Sequence, residues 1–199
     1  MKGYVSFVTL VITIISSLFV FYFIGINNVY FCGNVVQESL DKSTKGASLL
    51  PETELKTEGM DLFKKMLKKN LATNQIELIE QNITLLSGNY TYYKYDGNEE
   101  NSNEYSYFDK TPSVYYFVFD SGNIEELIKE VLEKIEEIDD EIKNSMFIEL
   151  TGKDLYGNFK SNSKIISDNN TTIIGFIEMP IDVFGKQFKI HRFSAYQIE

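Results

Sequence analysis

The sequence predicts an α+β protein: an N-terminal transmembrane helix, then one extracytoplasmic domain in which two helices pack on a mainly antiparallel sheet. Three observations predict it. Residues 4–26 (YVSFVTLVITIISSLFVFYFIGI) are almost continuously apolar. Two later stretches repeat apolar residues at helical spacing, and short aromatic or β-branched runs between turn residues fill much of the remainder. The chain divides into a short leader and transmembrane helix (1–30), a juxtamembrane helix extension or linker (31–50) and the domain (51–199).

The first element rests on length and charge. The apolar run makes a helix of about 34 Å, enough for a hydrocarbon core of about 30 Å, and no charged residue occurs from position 3 through 37. A cleaved secretory signal has a shorter apolar region and a small-residue cleavage site, and neither is present. Lys2 precedes the span and the next basic residue is Lys42, so the positive-inside rule directs the bulk of the chain outward, from a single-pass anchor in the cell membrane. Ser6, Thr9, Thr13 and Ser16 share one face of this helix. They either admit a second helix to close contact or bond their own preceding-turn carbonyls.

After the span, residues 27–50 continue the helix before loosening into a polar linker at 37–48, and Pro51 restarts order. Over 52–71 the apolar residues Leu55, Leu62, Phe63, Met66, Leu67 and Leu71 form a helical stripe. On its outer side Lys64, Lys65, Lys68 and Lys69 make the only basic cluster. That cluster is either a contact face for anionic lipid or an acidic partner, or a solvated surface.

Strands follow at 75–79, 83–86 and 90–95, the last two joined as a hairpin through Ser87, Gly88 and Asn89. The acidic stretch 96–104 suggests a calcium loop through Asp96, Asn98 and Glu100, but Asn101 and Tyr107 stand where an EF-hand needs Gly and Glu. Residues 114–119 (VYYFVF) make the strongest strand. Asn123 and Glu126 form a capping box for a second helix whose Ile124, Ile128, Val131, Ile135, Ile138 and Ile142 fall on a heptad seam, favouring packing on the protein's own sheet over a coiled coil. Strands at 146–150, around 164–167, at 171–179 and at 188–196 complete the expected sheet.

Composition excludes several functions. A net charge of −10 and a pI near 4.7 argue against nucleic acid, which needs clustered cations. Arg192 is the only arginine, Cys32 the only cysteine and His191 the only histidine, which removes an intramolecular disulfide, a closed zinc site and a strong nucleophile–base pair. No phosphate-binding loop or metalloprotease motif occurs, and neither a cofactor nor a small-molecule substrate is indicated. The chain reads as a binding or assembly protein rather than an enzyme.

Met1-Lys2-Gly3 before Tyr4 and an uncharged helix resembles the leader of type IV filament subunits, in which a prepilin peptidase cuts after such a glycine. Residues 171–179 (TTIIGFIEM) and 188–196 (FKIHRFSAY) resemble the closing strands of Tad-type pseudopilins and minor pilins. The resemblance implies cleavage between Gly3 and Tyr4, a prepilin peptidase and sibling filament subunits as partners, and a role in a surface filament or a secretion or conjugation apparatus. Val8 stands where major pilins carry a glutamate, a departure shared with certain minor or tip subunits. The competing reading is a stationary single-pass protein whose outer domain binds a wall polymer, a peptide or another protein.

Overall fold

The computed structural model describes residues 2–74, 82–87, 90–95, 113–119, 124–134, 138–166, 170–183 and 186–198. Its elements in chain order are α1 (Lys2–Ser48), a 3₁₀ turn (Glu52–Glu54), a π-helical turn (Leu55–Gly59) and α2 (Met60–Ala72). Then come β1 (Asn82–Ser87), β2 (Tyr90–Tyr95), β3 (Ser113–Phe119), α3 (Ile124–Lys134), α4 (Asp140–Thr151), β4 (Thr172–Val183) and β5 (Lys186–Gln197). The strands pair antiparallel in the order β1-β2-β3-β4-β5, so the fold is α+β with a long apolar N-terminal helix. The expected strand at 75–79, the acidic loop at 96–104 and Asn123 lie outside the described residues.

α1 runs unbroken through the stretch expected to loosen into a linker. Residues 7–24 are exposed, whereas Val36, Ser39, Leu40, Ser43, Thr44 and Ala47 are buried. Polarity at 37–48 is no obstacle to burial here, because the Ser43 hydroxyl donates to the Ser39 carbonyl at 2.6 Å and that of Thr44 to the Leu40 carbonyl at 2.9 Å. A hydroxyl so satisfied costs little inside a core. The charged residues of the segment sit outside, with Lys42 pairing Glu38 at 2.6 Å one turn away.

The buried side chains form two clusters. One holds Val36, Leu40 and Ala47 of α1, Phe63, Leu67 and Leu71 of α2, and Val114, Tyr116, Val118, Ile173, Ile177, Met179 and Ile181 of β3 and β4. The other holds Ile128, Val131, Ile138, Met146, Phe147 and Leu150 of the α3–α4 region with Tyr115, Phe117, Phe119, Ile174 and Phe176. β3 thus alternates between two buried environments, which is why it is apolar at every position from Val114 to Phe119. At the α2 end, the Tyr116 hydroxyl donates to the Leu55 carbonyl at 3.1 Å, and its ring lies 4.9 Å from that of Phe63. The widened π turn leaves that carbonyl available to a side chain, and burial holds the Tyr116 phenol above its usual range.

Three expectations are corrected. The second helix does not run through to Ile142: Asp139, at φ −60° and ψ 142°, is extended and starts α4 anew. Ile138 and the half-buried Ile142 still face the second cluster, as Ile128 and Val131 do before the break. Residues 146–150 are helical rather than a strand, since Met146, Phe147 and Leu150 meet on one helical face. No strand forms at 164–166, where the N–H groups of Ile165 and Ile166 both donate to the Leu150 carbonyl at 3.1 Å. That segment satisfies a helix end instead of a sheet ladder. β4 does extend through Pro180, because β3 pairing stops at Glu178 and β5 alone borders the strand there.

Gly175 marks the closest approach of sheet and helices. A Cβ there would lie 2.6 Å from Thr44 Oγ1, 2.8 Å from a Phe63 ring carbon and 3.1 Å from Leu40 Cδ1. Gly175→Val should destabilise the full chain in detergent by about 1–3 kcal/mol through overpacking, read from urea unfolding. Gly33→Ala should cost far less, since the clashing group is the flexible end of Arg192.

Candidate functional site

β5 forms one edge of the sheet, and an edge strand exposes a row of backbone donors and acceptors unless something covers them. Here α1 supplies part of the cover. Gln37 Nε2 donates to the Phe193 carbonyl at 3.0 Å and is oriented by Asp41 Oδ1, also at 3.0 Å. Arg192 Nη1 donates to the carbonyl of His191 at 2.8 Å and its Nε to that of Gly33 at 3.3 Å. The one arginine of the chain therefore serves as a clasp between β5 and α1.

Outside this clasp lies an open groove of about 980 Å³ between α1, β5, α4 and the segment after it, with Asp41, Glu149, Ser163, Ile165 and Tyr196 among its lining residues. Burial, and then the charge of Asp41, push the Tyr196 phenol above its usual range. One rim is a compact loop. Gly152 (φ 77°) ends α4 in the left-handed conformation, and its carbonyl accepts from Lys160 N and Ser161 N at 2.9 and 3.0 Å. The Asp154 carboxylate accepts from the backbone N–H groups of Tyr156 and Asn158 and from the Asn158 amide. Lys153 ties the loop to α3 through both carboxylate oxygens of Glu125, at 3.0 and 2.7 Å. The result is a fixed loop that presents Tyr156, 90 % exposed, and Phe159, 68 % exposed. Exposed aromatics on a rigid support make contact area at little entropic cost.

Next to the clasp, on the α4 face of the sheet, β5 carries a charge cluster centred on a buried carboxylate. Glu178, 8 % exposed, accepts from Lys189 Nζ at 2.8 Å and lies 2.9 Å from His191 Nε2, whose ring stacks on Phe176. Burial raises the Glu178 pKa, but the hydrogen bonds and charges of His191 and Lys189 outweigh it and hold the carboxyl below its ordinary range. Cys32 packs with the α1-side cluster, while His191 stands beside Phe176 on the other face of the sheet. The sole thiol and the sole imidazole are therefore kept apart, and burial raises the Cys32 pKa. Among the described residues no group of three or more His, Cys, Asp and Glu side chains is arranged to hold a metal ion.

Of the residues singled out in the sequence, Gly3, Tyr4 and Ser6 lie in α1. Thr9, Thr13 and Ser16 are exposed on that helix. The Thr13 hydroxyl donates to the Thr9 carbonyl at 2.9 Å, and that of Ser17 to the Thr13 carbonyl at 2.8 Å. Lys64, Lys65, Lys68 and Lys69 line one shallow depression of about 460 Å³ on α2, together with Asp61 and Ala72. The lysine face and the threonine face lie on different helices and form no joint site. Sequence reasoning placed a loop at 151–163 but missed the groove and the loop's fixed form. The Asp154-to-Asn158 spacing, with Gly157 between, was a usable signal for an Asx-stabilised turn.

Glu178 supplies a pH test. Its carboxyl is depressed in the folded chain, so its stabilisation is present above the unfolded pKa of about 4.3 and is lost as pH falls through the lower folded value. Glu178→Gln should flatten that part of the acid limb in a pH series of urea midpoints, whereas Glu149→Gln on the exposed face should not. No known protein family, curated protein or solved structure matches the chain.

Proposed function

We propose that the chain is a membrane-anchored assembly subunit of the pilin-like or pseudopilin-like kind, serving a surface filament or a secretion or conjugation apparatus. One observation carries this reading: α1 is a single helix of 47 residues whose first half is apolar and exposed and whose second half is core. Among the described residues it is the one helix long and apolar enough to cross a membrane. An all-round apolar helix needs either lipid or neighbouring helices to cover it. A subunit stored in a bilayer and later packed into a fibre uses both in turn. Lys2 before the span, with no further basic residue until Lys42, supports an outward-facing domain. The lysine face of α2 suits acidic surfaces of sibling subunits.

The groove beside β5 and the aromatic loop favour a second reading, in which a stationary single-pass protein holds a peptide, a wall polymer or a protein partner at that edge.

Intact-mass and N-terminal sequencing of the protein from membranes of a host with a prepilin peptidase separates the two. The assembly reading expects Tyr4 as the mature first residue, Gly3→Leu blocking the cut, and the subunit in the sheared-fibre fraction. An intact Met1-Lys2-Gly3 leader, with the chain confined to membranes, would reject it and leave the stationary reading.

A further inference from the structure

β5 climbs alongside α1 in the same direction. Gly33 is held by Arg192 and Gln37 by Phe193, and Asp41 lies near Tyr196 on the groove wall. The eight-residue advance from Gly33 to Asp41 lifts the helix by about 12 Å. The advance from Arg192 to Tyr196 lifts the strand by about 13 Å. The two axes therefore keep pace, and heights on one can be read on the other.

Read downward, this scale puts Phe188 about 13 Å nearer the N-terminal end of α1 than Arg192. That is the height of the helix some eight or nine residues before Gly33, at Ile24 and Gly25, inside the apolar run 4–26. Its surroundings agree. Residues 7–24 of α1 are exposed but Gly25 is buried, and Val29 and Cys32 already pack on the domain core. Phe188 pairs with Ile181, so both lie on the α1 face of the sheet; Ile181 is 4 % exposed, yet Phe188 remains 46 % exposed. Lys189 projects from the other face to Glu178. An exposed aromatic next to a lysine is the side-chain pair that settles at a membrane interface, ring in the acyl boundary and ammonium toward the headgroups. On the far side of α1, Tyr30 and Phe31 are also exposed, at 68 and 62 %, just above the span.

We propose that the β4–β5 hairpin is a second membrane contact: Phe188 enters the outer leaflet beside α1, and the domain rests on the lipid surface instead of standing clear of it on its stalk. The proposal rests on α1 spanning the bilayer as read above. With the outer hydrocarbon boundary at Ile26, the backbone of Phe188 lies level with it when counted from the Gln37–Phe193 bond and about 3 Å inside it when counted from Gly33. Two points of contact also fix the domain's rotation about the helix axis, which one helix cannot do.

The chain contains no tryptophan, so Phe19→Trp, Phe188→Trp and Tyr156→Trp each give a single reporter. The full-length variants are reconstituted in phosphatidylcholine vesicles with and without brominated acyl chains, and the emission is challenged with acrylamide from the aqueous side. Equal unfolding midpoints confirm that each variant folds. The reporter at position 188 should be quenched by brominated lipid and be several-fold less sensitive to acrylamide than the one at 156, approaching that at 19. If position 188 behaves like 156 while 19 is quenched by brominated lipid, the second contact is wrong and the anchor stands. If position 19 itself is open to acrylamide and untouched by brominated lipid, the anchor falls and the hairpin contact with it.

Discussion

The packing of α1 against Gly175 is the constraint on which the rest depends. At this glycine the sheet admits Leu40 and Thr44 of α1 and Phe63 of α2 at van der Waals range, and α1 and α2 are themselves drawn together where Gly46 faces Met66. The sheet lacks a side chain at the first contact and α1 at the second. With that packing, Val36 and Ala47 fall into register a turn away, and the Arg192 clasp reaches Gly33.

β3 carries the second half of the design. With Val114, Tyr116 and Val118 turned to α1 and α2, and Tyr115, Phe117 and Phe119 turned to the α3–α4 side, it is the strand through which both clusters are coupled. The three rings on the second face follow one another at 6.1 and 6.0 Å. Such contacts add specificity to simple burial. On the other face the Tyr116 hydroxyl is answered across the packing by the Leu55 carbonyl.

Much of this was legible in the sequence, and the failures share a cause. The apolar helix at 4–26, the α2 stripe, β3 and the β4–β5 pair announce themselves by patterns of apolar residues that local periodicity captures. Residues 37–48 misled because buried hydroxyls look polar in sequence but are satisfied by carbonyls one turn back. The α3–α4 boundary was hidden because Ile128, Val131, Ile138 and Ile142, on either side of the break at Asp139, all pack on the same cluster. Residues 146–150 read as a strand on aromatic and branched content, yet their partners select one helical face. The groove was beyond reach of sequence, since Gln37 and Phe193 lie 156 positions apart, whereas the lysine face of α2 needed only local spacing.

The placement of α1 also sets a timetable for folding. The helix precedes the other described elements in the chain, but its inner half is covered by β4 and β5, and the Gly33–Arg192 contact closes over 159 residues. Contacts of such separation form late and slowly. Until the final hairpin is available, the stripe from Val36 to Ala47 has no sheet to cover it. A truncation that removes β5 therefore leaves a chain with an open core stripe, a ready target for quality-control proteases rather than a partly working domain.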